Sequence, residues 1–499
     1  MRTTTVAIVL MLAIAAPALL AQDKKKEAEP KAGEPKAGES KPAEKAEAPK
    51  PYDPFSLSFP LSDAPDAERI FLKFFGEQRT RYEGRTPSTY VPGLARHTAT
   101  SLVNLRTRLG IEVRFPRSVN VLFEIQDSRL WGDEPRADAN AANSSALTGT
   151  DVLQANIFTN NLLNADIEAR LGRQKFNIGN QRLWSTLEWT VQSRTWDGVR
   201  VQRSFGTDFH LQAFTLLVNE LSRFKDDEWV FGASLRWTPQ FLPRNELELL
   251  VLYDFRDDEA NSNQFAEVAT ISLRYNGFFG LNEDDSLALE FSAEGAFQFG
   301  EADPGFWGTP GRSDSAVQAF GSALTADLLF GVSDHKFRVG LEYGFASGDS
   351  DPSDATFQTF RAPFPFAHKY QGWADQVGWR NLHDIVLRAS WTHAVGGDVE
   401  SVGVLMELHA FQRANDDDAW YAPSGSVIRA GSPTQSDELG YEFDLQIPLK
   451  VSRFFTFEAG WAHFFSGRFV SQTATGSGPG SNNEDSDLDF FWLQAAVRF

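Results

Sequence analysis

The sequence predicts an all-β chain, a transmembrane antiparallel barrel, on three observations. Apolar and polar residues alternate with period 2 through segments long enough to cross a bilayer. Aromatic content is high, with 42 Phe, 13 Trp and 9 Tyr in 499 residues, yet mean hydropathy is −0.33. No apolar run beyond residue 21 reaches the ~18 residues a membrane helix needs. A strand sends successive side chains to opposite faces, so a barrel with an apolar outside and a wet inside satisfies all three at once.

The N-terminus reads as a signal peptide over residues 1–21. Arg2 supplies a positive start, Val6 to Ala16 a short apolar core, and Pro17 to Ala21 a cleavage region. Residues 22–51 are Lys, Glu, Ala and Pro with a short repeat, Pro30 to Glu34 echoed by Pro35 to Glu39. Such a segment has too little apolar surface to offset its ordering entropy, and it is expected to be a disordered periplasmic tether. The count of 0 cysteines fits an envelope protein. A net charge of −20 argues against nucleic acid as a partner. Acidic clusters fall where loops are expected, at Asp226 to Glu228, Asp257 to Glu259, Glu283 to Asp285, Asp416 to Asp418 and Glu484-Asp485.

The barrel is assigned to residues 52–499. In its clearest strand Val103, Leu105, Leu109, Ile111, Val113 and Phe115 share one face, while Asn104, Arg106, Arg108, Glu112 and Arg114 share the other. Leu287 to Phe299 and Lys336 to Phe345 repeat the pattern. All reach the ~9–11 residues needed for a tilted crossing. The total comes to about 18 strands, with 16 the alternative because short segments near 151–180 are ambiguous. Tight turns such as 238–244 alternate with long loops at 132–150, 301–313, 413–436 and 467–487, the asymmetry of short periplasmic and long extracellular connections. The last strand places Phe491, Leu493, Ala495, Val497 and Phe499 on one face, like an outer-membrane assembly signal.

Lys73, Arg79, Arg81, Arg106, Arg108, Arg114, Arg170 and Arg200 lie at the polar parity of strand-like segments and are the candidate basic wall of the lumen. Neighbouring strands stand ~4.8 Å apart, so such guanidiniums form a ladder suited to carboxylates. The alternative is that they pair with Glu77, Glu112, Glu124 and Glu168 and stiffen the wall. Alternation slips at Gly172, where a bulge would redirect Arg173 and Lys175. Asp349, Asp351 and Asp354 read as a solvated loop with Asx turns rather than a cation site. The histidines show no metal-ligand spacing, nothing demands a cofactor, and although His368 with Asp375 and Asp384 could form a dyad, no nucleophile accompanies them. No enzymatic activity is expected.

Two stretches resemble the alginate-export (alginate porin) outer-membrane family. The first, Leu171 to Val201, carries Gly172-Arg173-Gln174, Arg182-Leu183, Trp189 and Asp197-Gly198. The second, Tyr343 to Ile385, carries Ser347-Gly348-Asp349, His368, Gly372, Asp375 and Asn381. The resemblance implies a monomeric barrel of about 18 strands, through which anionic polysaccharide leaves the cell along a lumen lined by Arg and Lys. The net charge and the lumen-parity residues Glu290, Glu294 and Glu342 depart from a strongly electropositive channel.

The expectation is an outer-membrane channel for export or passage of anionic polysaccharide or other acidic solutes. A general diffusion porin and a structural or receptor barrel are the alternatives. Expected partners are outer-membrane lipids and lipopolysaccharide, the outer-membrane assembly machinery, periplasmic export partners, and an anionic oligosaccharide or small acid. The solute, the direction of flow and the oligomeric state stay open at this point.

Overall fold

A computed structural model describes residues 57–60, 70–86, 90, 99–116, 119–132, 149–219, 228–256, 265–303, 315–474 and 486–499. The predicted leader and tether lie outside them. The strands in chain order are β1 Leu57–Pro60, β2 Phe71–Thr86, β3 Thr100–Arg114, β4 Val119–Gly132, β5 Gly149–Thr159, β6 Ile167–Gln174 and β7 Trp196–Phe205. There follow β8 Phe209–Asn219, β9 Glu228–Trp237, β10 Glu246–Arg256, β11 Ala266–Gly280, β12 Leu287–Ala302, β13 Ser315–Val332, β14 His335–Ala346 and β15 Thr356–Phe357. The last are β16 Leu382–Gly396, β17 Val399–Gln412, β18 Trp420–Tyr421, β19 Val427–Arg429, β20 Glu438–Lys450, β21 Phe455–Ser466 and β22 Leu488–Arg498.

All but β18 and β19 belong to one 20-stranded sheet. Two of these, β1 and β15, are short additions, which leaves 18 antiparallel strands in the wall. The ambiguous region near 151–180 supplies two of them, β5 and β6. The wall closes where β22 returns to β2, from Glu77 opposite Arg498 to Thr86 opposite Asp489. Beyond the end of β22, Gly76 and Phe499 exchange backbone hydrogen bonds of 2.8 and 3.1 Å. Closure matters physically, because an open strand edge inside hydrocarbon would leave its amides and carbonyls without partners. Among the described residues, no helix is long and apolar enough to cross a membrane. That leaves the crossing to strands.

Parity assigns the faces as the sequence predicts. Leu109, Leu273, Val339, Leu341, Leu387 and Leu493 are exposed on the outer surface, while Arg106, Arg108, Glu342 and Asp444 are buried inside. A reversed register would place arginine against lipid, at a cost of ~2–4 kcal/mol each near the midplane. One rim carries short turns, including the two-residue hairpin Gly397-Asp398 between β16 and β17. The φ of +75° at Gly397 is the conformation such a turn requires. The other rim carries the long connections. By the same asymmetry the short-turn rim is periplasmic.

Two expectations need correction. The long loop 413–436 contains the β18–β19 hairpin, and 467–487 opens with a helix, Arg468–Thr473. At Gly172 the strand pairing keeps its register on both sides. The nearest shift is between β4 and β5 at Glu124/Ile125, and Gly172 itself takes φ +117°.

Candidate functional site

The two stretches that break the period-2 pattern fold into the barrel from the long-loop side and interlock. The Ser185 amide donates to the Phe364 carbonyl at 2.8 Å, the Phe364 amide to Leu183 at 2.9 Å, and the Phe366 amide to Gln181 at 3.0 Å. Trp184, fully buried, sits at the centre with Trp196 and Phe364 at ring distances of 4.6 and 4.7 Å and Phe176 stacked at 5.6 Å. The lumen face of the wall is itself apolar at this level, where Phe214, Leu216, Val230, Leu250 and Leu252 join the cluster. The segments bring Phe176, Trp184 and Phe364 to meet Trp196 and Phe214 of the wall.

Four of the predicted wall arginines hold this inner layer in place. Arg79 donates to the carbonyls of Glu188 and Thr190, both at 2.8 Å. Arg106 donates to the same two carbonyls at 2.9 and 3.0 Å and to Glu77 at 2.7 Å. Arg81 donates to the Trp189 carbonyl at 2.8 Å and packs 3.7 Å from the Trp189 ring centre. Arg108 reaches the Glu188 carboxylate at 2.6 Å and the Ser193 hydroxyl at 2.5 Å. A rigid fork of donors suits this task, since each guanidinium can satisfy two loop carbonyls that a barrel interior would otherwise strand.

The other four basic residues are placed differently. Arg114 is more than half exposed near the short-turn rim and pairs with Glu112 at 2.6 Å. Arg170 and Arg200 flank Glu168 at 3.5 and 3.7 Å. Lys73 shares the lumen face of β2 and lies opposite Glu112 in the register with β3. Of the two residues whose direction the sequence left open, Arg173 pairs with Asp197 at 2.8 Å, and Lys175 turns inward toward Glu124 and Glu188 at 3.6 and 3.5 Å.

The remaining family-motif residues build the same layer. Gln174 and Leu183 are buried, and Gly198 takes φ +156° as β7 begins. Arg182 pairs with Glu342 at 2.5 Å across 160 positions of sequence. The Ser347 hydroxyl donates to Gln358 at 2.6 Å, and the Asp349 amide donates to Asp418 at 2.9 Å. Gly348 abuts the Asn381 side chain, whose amide donates to the carbonyls of Asn415 and Ala419 at 2.9 and 3.0 Å. Gly372, at φ +82°, packs where a side chain would strike the Glu442 carboxylate. His368 and Asp375 form the foreseen contact at 3.1 Å, but Asp384 binds His409 instead, at 3.1 Å. The His368 ring stacks on Trp189 at 3.8 Å.

Under this layer, toward the short-turn rim, lies a cavity of about 920 Å³. Its lining includes Arg79, Arg106, Arg108, Lys175, Arg338, Lys369, Arg388 and Arg498 against Glu77, Glu124, Glu188, Glu407 and Glu458. Cations therefore exceed anions. A second cavity of about 440 Å³ shares Arg338, Lys369, Tyr370 and Arg388 with the first, so the two adjoin. Lys369 is exposed at that junction. A third, about 70 Å³, lies between the infolded segments and is lined by Arg194, Arg361 and Arg380 without a carboxylate. Burial pulls the Arg194 guanidinium down to about 10, so it keeps its charge at neutral pH.

Lys175, Glu188, Arg194, Arg338, Lys369 and Arg388 were not among the predicted site residues. The loss of alternation between 175 and 195 was the available signal for an inner layer.

Residues 71–482 match the alginate-export family. The chain belongs to that family. No curated protein matches it in sequence. Among solved structures, this alginate-export barrel is similar to a BenF-like porin from Pseudomonas fluorescens Pf-5, at 8% identity and a TM-score of 0.52, over 86% of this chain and 98% of that one. Acinetobacter baumannii OccAB1 gives 11% identity and 0.52 over 86% and 97%. Pseudomonas aeruginosa OpdK, solved with vanillate, gives 9% and 0.51 over 86% and 98%. At such identities the likeness is one of fold. Family and fold together make the chain an outer-membrane β-barrel channel and not an enzyme.

Proposed function

We propose that this alginate-export barrel passes acidic solutes, either anionic oligosaccharide or small carboxylic acids, through a basic vestibule beneath the interlocked segments. The carrying observation is the surplus of cations around the 920 Å³ cavity, with Lys369 exposed where it meets the 440 Å³ cavity. Rows of weak guanidinium and ammonium sites favour entry of carboxylates without retaining them. One observation favours small acids over polymers: the inner layer is pinned by buried arginines, which narrows the outer half of the lumen. Vanillate, with which OpdK was solved, is such an acid.

In the same reading, residues 1–21 direct export, residues 22–51 tether the barrel in the periplasm, and the assembly machinery inserts it among outer-membrane lipids and lipopolysaccharide. Periplasmic export partners would deliver a polymeric cargo.

The test is the reversal potential of single channels in a planar bilayer under a salt gradient. Wild type is expected to prefer anions. Lys369→Glu reverses one charge at the junction and should shift the potential toward cations, with Lys369→Gln intermediate. Adding acidic oligosaccharide to one chamber and vanillate to another preparation separates polymer from small acid by which one blocks current. Wild-type selectivity unchanged in Lys369→Glu would defeat the proposal.

A further inference from the structure

We infer that the lumen face of β17 and β20 holds a divalent transition-metal site, of the zinc type, built from His409, Glu407 and Asp444. Their donor atoms all lie within 4.8 Å of one another, and all three side chains are buried. Nε2 of His409 stands 3.6 Å from Asp444 Oδ2 and 4.0 Å from Glu407 Oε2. Two ligands on a tetrahedral zinc at ~2.1 Å would stand ~3.4 Å apart, so the two histidine–carboxylate pairs need only a small contraction, and the two carboxylates, within 4.8 Å, must draw together to close the set.

The second observation is independent of the clustering. With the carboxyls ionised, His409 Nε2 and both carboxylate oxygens of Asp444 are buried with no donor to satisfy them, as is Oε2 of Glu442, which lies opposite His409 in the strand register and within hydrogen-bonding reach of Asp444. Such atoms are costly unless something satisfies them. The imidazole is also oriented for a metal. Its Nδ1 lies 3.1 Å from Asp384 Oδ1, and a proton donated there leaves the Nε2 lone pair facing Glu407 and Asp444. A carboxylate behind the ring, the ligand nitrogen in front and acidic ligands beyond form the usual shell of a histidine–metal site.

Imidazole with carboxylates selects a borderline cation such as zinc over calcium or magnesium, which prefer oxygen alone. Glu407 also lines the 920 Å³ cavity, which provides a route for the ion. The site would tie β17 and β20 together beneath the inner layer, where Glu442 Oε1 accepts the Ala374 amide at 2.7 Å. It is independent of which solute the channel passes. The competing occupant is protons shared among the carboxylates and the imidazole.

The test uses the full barrel, stripped with chelator and dialysed against micromolar zinc chloride, with bound metal counted by elemental mass spectrometry. About one zinc per chain is expected in wild type. His409→Gln and Asp444→Asn should each lower this at least tenfold. Cobalt(II) loaded into wild type should give a visible d–d absorption that zinc bleaches, a readout that needs no variant. Calcium at the same concentration should not compete. Wild type retaining no more zinc than His409→Gln, or no cobalt band in wild type, would overturn the site and leave the protonated cluster. Displacement of zinc by equimolar calcium would overturn its transition-metal character.

Discussion

Replacing Arg79 and Arg106 together by glutamine should loosen the inner layer while leaving the wall intact. The pair is chosen because both donate to the carbonyls of Glu188 and Thr190, so a single change leaves each acceptor one partner. Glu77 would lose Arg106 but keep Arg498 at 2.8 Å, which avoids a stranded buried charge. Four charge-assisted bonds of ~1.5–3 kcal/mol each are removed. They share two acceptors and glutamine restores part of the donation, so the net loss in docking is about 3 kcal/mol. At ~1.4 kcal/mol per tenfold, the undocked population rises roughly 100-fold. Hydrogen exchange reads this directly at the amides of Thr190 and Arg194, which donate to Leu187 and Thr186 within the segment. Single-channel current should fluctuate more at the same voltage. Unchanged exchange across 186–194, with anion selectivity alone reduced, would refute the pinning role and leave these arginines only their charge on the cavity.

Other outcomes follow from the same geometry. Deleting Phe499 removes both backbone bonds to Gly76 at the closing seam, and outer-membrane levels should fall several-fold on quantitative immunoblots while the total synthesised stays constant. Trp184→Ala empties the centre of the interlock and should cost ~3–5 kcal/mol in docking of the inner layer. Loss of near-ultraviolet circular dichroism with retained far-ultraviolet signal would report it. For pH, burial would raise the Glu188 carboxyl, but Arg108, Lys175 and Arg106 hold it well below the ordinary range. A depressed carboxylate contributes fully above the unfolded value of ~4.3 and loses its contribution only as pH falls through its own lower value. Exchange of the 186–194 amides, corrected for its intrinsic pH dependence, should therefore be flat from pH 7 to about 4.5. The side chain is 39% exposed, so solvent screening limits the gain. A midpoint near pH 5 would contradict the assignment.

How much was legible from the chain differs between wall and site. The wall was readable because its code is local. Leu105 and Leu109 against Arg106 and Arg108 assign lipid and lumen within a few residues, and a one-residue slip would put every charge in hydrocarbon. The family blocks at 171–201 and 343–385 carried the resemblance, but that they enter the lumen was not read from them.

What parity cannot state is what stands across the barrel from a given side chain. Arg106 reads the same whether it faces a solute or the Glu188 carbonyl 82 positions away. His409 looks like a scattered histidine until strand register sets Asp444 opposite Glu407, its neighbour two residues back. The sequence by itself determined the barrel and its faces, because steric alternation and the cost of charge in lipid act residue by residue. Only the tertiary structure decided which arginines hold the inner layer, which cations face the open cavities, and which buried carboxylates gather around His409. Those are distances between strands far apart in the chain, set by closure and infolding.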